Sequence, residues 1–374
     1  MRNLLAGLIL AFAGLALPTA VRGETGWSLE PSLKYDALCL LNALGDDPFY
    51  LKYYQAEHDH FASLLTGEER ESFGALRRIL KEEAGGIVSA QLALYFSATD
   101  GETLEQMIGT AADSTAMRQA LQRTPYWNPD RWAAYERALP ALKRALEALR
   151  RVGFAEYWAS QAKPLVEKRI AELRPQLARF DVVGAIEPRL GHPLASRRIR
   201  VFLLAYSKPH GIRITDMSFL THYSYPFEVV VRNAIHEMMH PPYQEKSPPI
   251  AAALRRLGAD PRIRGAVEHH DRSYGYNSVA GYVEEDAVQA LEAVVARDLG
   301  MRRDQRAYWK EQDGGMHVLA AAMYLQLRRA EQERGAPVVF PAFFATAVSR
   351  GNLTGEGLAT SIDAFFAGRG PDGE

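Results

Sequence analysis

Residues 232–243 read RNAIHEMMHPPY, with His236 and His240 four apart, Glu237 directly after the first, and Pro241 and Pro242 closing the run. The residues before it carry the marks of a helix start. Pro226 suits the first helical position and Glu228 suits the first turn, where a carboxylate meets the positive end of the helix. Phe227, Val230, Val231, Ala234, Ile235 and Met238 recur at helical spacing and make an apolar face. Val229, Asn233, His236, Glu237 and His240 fall on the other side. One helical turn separates the two histidines, so both imidazoles can reach a single zinc ion at about 2.0–2.1 Å. Glu237 lies beside that pair, placed to take a proton from a water held there without ligating the metal itself. Pro241 and Pro242 stop the helix, because proline lacks an N–H and excludes its predecessor from the helical region. A third ligand must therefore come from another element. The competing reading is an ordinary amphipathic helix with two surface histidines; Glu237 argues for hydrolysis, since a structural metal needs no acid at that position.

The search for a third ligand leads to residues 275–299, GYNSVAGYVEEDAVQALEAVVARDL, where Glu284, Glu285 and Asp286 are consecutive. Glu284 shares its helical stripe with Ala280, Gly281, Ala287, Val288 and Leu291, which predicts burial. Glu285 shares a more polar stripe with Tyr282, Gln289 and Glu292. A buried carboxylate without a partner is costly, whereas one on zinc is satisfied. Glu284 is therefore the expected third ligand, with Glu285 as the alternative. A Glu284 paired instead to Arg232 or Arg255 would be purely structural. A donor for a developing oxyanion is sought in the stretch DRSYGYNSVAGY, residues 271–282, where Tyr276 and Tyr274 come first; His317 and His222 are further candidates.

Residues 197–292 resemble the gluzincin branch of the H-E-x-x-H zinc metallopeptidases, to which thermolysin belongs. Strand-forming residues come first, then the H-E-x-x-H helix, then a Glu on a later helix. Ala287 matches the small residue that often stands three places after the ligand Glu, and Val288 stands where the thermolysin group has an Asp that orients a ligand histidine. The resemblance implies a zincin-like catalytic region binding Zn2+ through His236, His240 and Glu284, with Glu237 as general base. It further implies a peptide or protein substrate that adds to a sheet edge as an extended strand.

The rest of the chain sets the frame. It has 374 residues, 47% of them hydrophobic, and a formal net charge of −1. That balance points away from nucleic acid and anionic membranes. Residues 1–23 read as a secretory signal peptide: one arginine, an apolar run from Leu4 to Leu17, then small residues, with cleavage expected after Gly23 and after Ala20 as the alternative. An uncleaved membrane anchor is the competing reading. The mature protein is expected to be periplasmic or extracellular, without stable membrane insertion. Cys39, the one cysteine, sits in an apolar helical run and reads as a core residue. Residues 24–150 read as an N-terminal helical region and 151–370 as the catalytic region. RRIRVFLLAY and IRITDMSFLTHYSY have strand character just before the His-Glu helix. The expected class is α+β, helix-dominated, with a small sheet ahead of the H-E-x-x-H helix. The runs EHHD at 268–271 and EHDH at 57–60 read as surface groups, because their histidines diverge on any regular element. The expected function is an exported zinc peptidase, and the alternative is a non-catalytic helical binding or scaffold protein with a structural metal or none.

Overall fold

The computed structural model describes residues 24–271, 274 and 276–369; the expected signal peptide and its cleavage site lie outside them. Helices dominate, around one four-stranded mixed sheet. The strands are β1 (Gly26–Pro31), β2 (Arg198–Leu204), β3 (Ile212–Arg213) and β4 (Ser218–His222), in the order β1-β2-β4-β3. β1 pairs with β2 and β2 with β4 in parallel, while β3 runs antiparallel to β4 and forms one edge. The α+β class and the small sheet match the expectation. β1 does not: GWSLEP, next to the N-terminus, joins the sheet beside β2, more than 160 residues away in sequence. A six-residue edge strand with a proline at its end carries little pattern of its own, and its pairing partner defines it.

Side chains alternate across the sheet with the period of two that a pleated strand imposes. Val201, Leu203 and Phe219 face one core with the His-Glu helix, Phe227–Met239, and helix Val182–Leu190. Phe202, Leu204, Leu220 and Ile212 face a second core, built from helices between residues 33 and 162. Cys39 is buried in that second core, as expected. One buried carboxylate fastens the helical layer to the sheet. Asp36, in helix Leu33–Leu44, accepts hydrogen bonds from Trp158 Nε1 at 2.7 Å and from the main-chain N–H groups of Ala205 and Tyr206, just past β2, at 2.8 and 3.0 Å. Burial lifts its pKa to about 7, against the pull of those donors. Among the described residues, no helix is long and apolar enough to cross a membrane.

The candidate metal and catalytic site

The His-Glu helix spans Phe227–Met239, and His240 caps it in an extended conformation (φ −76°, ψ 130°). Pro241 enforces that cap by disfavouring the helical region for the residue before it. Val230, Val231, Ala234, Ile235 and Met238 are buried as the apolar spacing predicts. The opposite side meets helix Val279–Asp298, which is buried almost all round. Arg213 of β3 ties the end of the His-Glu helix to the sheet edge, donating to the Glu237 carbonyl and to the Asp216 carbonyl.

His236 and His240 converge through their Nε2 atoms, which lie 3.2 Å apart. A tetrahedral zinc with Zn–N near 2.05 Å separates two nitrogen ligands by roughly 3.3 Å, so the pair stands at one edge of such a tetrahedron. The carboxylate that completes the group is Glu285, with oxygens 3.6 Å from His236 Nε2 and 3.7 Å from His240 Nε2. His236, His240 and Glu285 each offer one donor atom, and these atoms fall within 4.8 Å of one another. This corrects the expectation for Glu284. Its carboxylate sits 2.9 Å from His240 Nδ1, the nitrogen facing away from the cluster, and its side chain is 35% exposed against 8% for Glu285. Because the helix is buried on nearly every side, an apolar stripe is no guide to which carboxylate turns inward. The polar stripe Glu285–Gln289–Glu292 turns toward the histidines, and Gln289 Nε2 donates to Glu285 Oε1 at 3.0 Å.

Both histidines are backed by carboxylates. Glu284 holds His240 Nδ1, and Glu292 lies 3.9 Å from His236 Nδ1 while accepting from Arg232 at 2.9 Å and from Arg303 at 3.4 Å. The Glu284 hydrogen bond fixes the orientation of the His240 ring and leaves its Nε2 facing the cluster. Arg232 therefore pairs with Glu292, a partner the sequence pattern did not suggest. Burial pulls His236 down, but Glu285, Glu237 and Glu292 outweigh it and hold the ring up at about 9. Glu285 is driven well below the carboxylate range: burial raises it, and the two histidines more than reverse that.

Glu237 does not join the donor set. Its side chain is 7% exposed and, among the described residues, has no hydrogen-bond partner. It faces Gly211, the residue before β3, so closely that a Cβ built there would lie 3.0 Å from Glu237 Oε1 and 3.2 Å from Asn233 Nδ2. A carboxylate that no protein donor engages is left to solvent or to a ligand.

The other expected residues divide. Tyr276, in the left-handed region at φ 57°, brings its hydroxyl beside Glu285; burial and the charges of Glu285, Asp313 and Glu237 raise its pKa, so it stays an O–H donor. Tyr274 packs against the main core. His222 turns away from the cluster. Its Nε2 meets the Ala205 carbonyl at 2.9 Å, its Nδ1 meets Ser224 Oγ at 2.8 Å, and burial lowers its pKa to about 4. His317 is completely buried, with Nδ1 on Asp286 at 2.6 Å and Nε2 on Asp313 at 3.0 Å, so its ring nitrogens are already engaged. His269 and His270 each bond a main-chain carbonyl, and His58 pairs with Asp46 and Asp59, in keeping with surface roles. Glu285, the sequence's alternative, takes the donor place expected of Glu284; the residues sequence reasoning missed are Glu284 and Glu292 as groups behind the histidines, and Asp313.

Compared with known protein families, curated proteins and solved structures, the chain matches none.

Proposed function

We propose that the protein is an exported zinc-dependent peptidase of zincin-like architecture, with His236, His240 and Glu285 holding the metal and Glu237 acting as general base. The observation that carries this reading is Glu237: a carboxylate that, among the described residues, has no hydrogen-bond partner, next to a group of donors spaced for a tetrahedral ion. When bound, zinc supplies Lewis acidity, lowering the pKa of water and polarising a carbonyl oxygen. Glu237 takes the proton of the attacking water and returns it to the leaving amine. The Tyr276 O–H, kept protonated by burial and by the surrounding carboxylates, donates to the developing oxyanion. β3, the last strand of the sheet, is where an extended peptide would add, and a side chain at 211 in place of glycine would crowd Glu237. A hydrolase needs a base that no protein group neutralises, and a purely structural metal site does not.

The test is Glu237→Gln, measured for metal content, thermal midpoint and cleavage of a broad peptide library. Zinc occupancy and midpoint stay at wild-type values while cleavage drops by about 10²–10⁴-fold. Wild-type cleavage by the variant would remove Glu237 as the base. Stoichiometric zinc in a wild-type protein that cleaves nothing would favour the scaffold reading. Export is tested separately: N-terminal sequencing of secreted material should begin near Glu24, and an intact Met1 chain in the membrane fraction would replace the signal peptide with an anchor.

A further inference from the structure

A string of three side chains runs from the interior to the edge of the site. Asp286 is fully buried, and both of its oxygens are engaged: Oδ1 by His317 Nδ1 at 2.6 Å and Oδ2 by the Ala320 N–H at 2.8 Å. His317 is also fully buried and presents Nε2 to Asp313 Oδ2 at 3.0 Å. Gln289 Nε2 also lies 3.1 Å from His317 Nε2. Burial works against a charge on the ring, but Asp286 and Asp313 outweigh it and raise the pKa to about 10. Asp286 is sealed in, whereas the Asp313 side chain is 20% exposed.

Asp313 is held in place from two sides. Its backbone is left-handed (φ 48°, ψ 43°), unusual for a residue with a Cβ, and Gly314 and Gly315 follow at φ 68° and 78°. A residue with a Cβ persists there where the surroundings impose it. The turn sets Oδ2 on the buried His317 ring. Among the described residues, Oδ1 has no hydrogen-bond partner. Gln289 links the string to the cluster, its Nε2 lying beside the His317 ring and donating to Glu285 Oε1 at 3.0 Å. Tyr276 packs edge-on against His317 with centroids 5.8 Å apart, and the Asp313 charge is felt by Tyr276 and by His210, two residues before β3.

Resting on the peptidase reading above, we propose that Asp313 is a specificity-determining residue whose free carboxylate oxygen takes a primary ammonium group of the substrate, with His317 as its positioning residue. One free oxygen suits a compact ammonium; a guanidinium favours two parallel acceptors, and Oδ2 is already occupied. The ammonium comes from a free amino terminus or from an amine-bearing side chain, and the two sources are separable.

Zinc-loaded wild type, Asp313→Asn and Asp313→Ser are titrated calorimetrically with paired hydroxamates, which reach the metal whether or not the protein turns over. Leucine hydroxamate against its N-acetyl form reports an α-amine; Nα-acetyl-lysine hydroxamate against Nα-acetyl-norleucine hydroxamate reports a side-chain amine. In one pair, wild type binds the amine about tenfold more tightly, as expected for a charged hydrogen bond. Both variants lose that preference while binding the amine-free probes as wild type does. The pair that shows the preference identifies the source. No preference in either pair, a preference that survives in the variants, or equal weakening of every probe overturns the assignment of Asp313 and leaves the metal site standing. Failure of all four hydroxamates to bind the wild type overturns the metal reading, and this one with it.

Discussion

Two ionic networks lie within the same half of the molecule, and their charge balance differs. In the first, Arg189 makes a two-point contact with Glu331 at 2.9 and 3.0 Å and also binds Asp298, while Arg328 lies 3.6 Å from Glu331 and 3.7 Å from Asp298. Two guanidinium groups meet two carboxylates. In the second, Glu237, Glu284, Glu285, Asp286, Glu292 and Asp313 gather around the histidines, and among the described residues the arginines paired to them are Arg232 and Arg303, both on Glu292. His317 serves Asp286 and Asp313. Glu285 and Glu237 are left to His236 and His240. A balanced network needs nothing further and reads as structure. An acid-rich one is completed by protons on its histidines or by a divalent cation, and buried charge retained at such a cost marks a site of function.

The comparison breaks most readily at Glu285. Glu285→Ala should leave the purified protein without stoichiometric zinc and without cleavage, as measured by elemental analysis; full occupancy in this variant would return the ligand role to Glu284. The balanced network should respond in stability alone. Arg189→Met removes the two-point partner of Glu331, leaves it only Arg328 at 3.6 Å, and should cost up to about 3–5 kcal/mol in chemical denaturation, with zinc content unchanged; a loss of zinc here would mean the two networks are coupled. A smaller effect is expected from Glu284→Ala, which frees His240 Nδ1. Competition with a chelator should show zinc affinity lower by about 10–100-fold, and an unchanged affinity would show that Glu284 does not orient the ring.

The mildest effect is pH dependence in the metal-free protein. His236 is raised from 6.5 to about 9 on folding, so its proton contributes stability that is fully present below pH 6.5 and is lost as pH rises through 9. The thermal midpoint of the stripped protein should fall across that window, and a flat profile would show that Glu285 and its neighbours do not hold the proton. Zinc must displace the same proton, so its apparent affinity should rise with pH up to about 9.

Much of this site was legible along the chain. His236, Glu237 and His240 lie within five residues, and their relation follows from helical geometry and from the prolines that end the helix. The apolar face of that helix, the clustering of β2, β3 and β4 ahead of it, the helical majority and the burial of Cys39 follow from periodicity and composition in the same local way. The third ligand depends on how far one helix is rotated against another. Glu284 and Glu285 differ by about 100° around a helix buried on nearly every side, so hydrophobicity could not choose between them. Only the packing of Val279–Asp298 on Phe227–Met239 set the polar stripe Glu285–Gln289–Glu292 against the histidines and turned Glu284 to the far nitrogen of His240. The pairing of β1 with β2, the meeting of Gly211 with Glu237 and the string from Asp286 to Asp313 likewise join segments whose mutual positions no local pattern encodes.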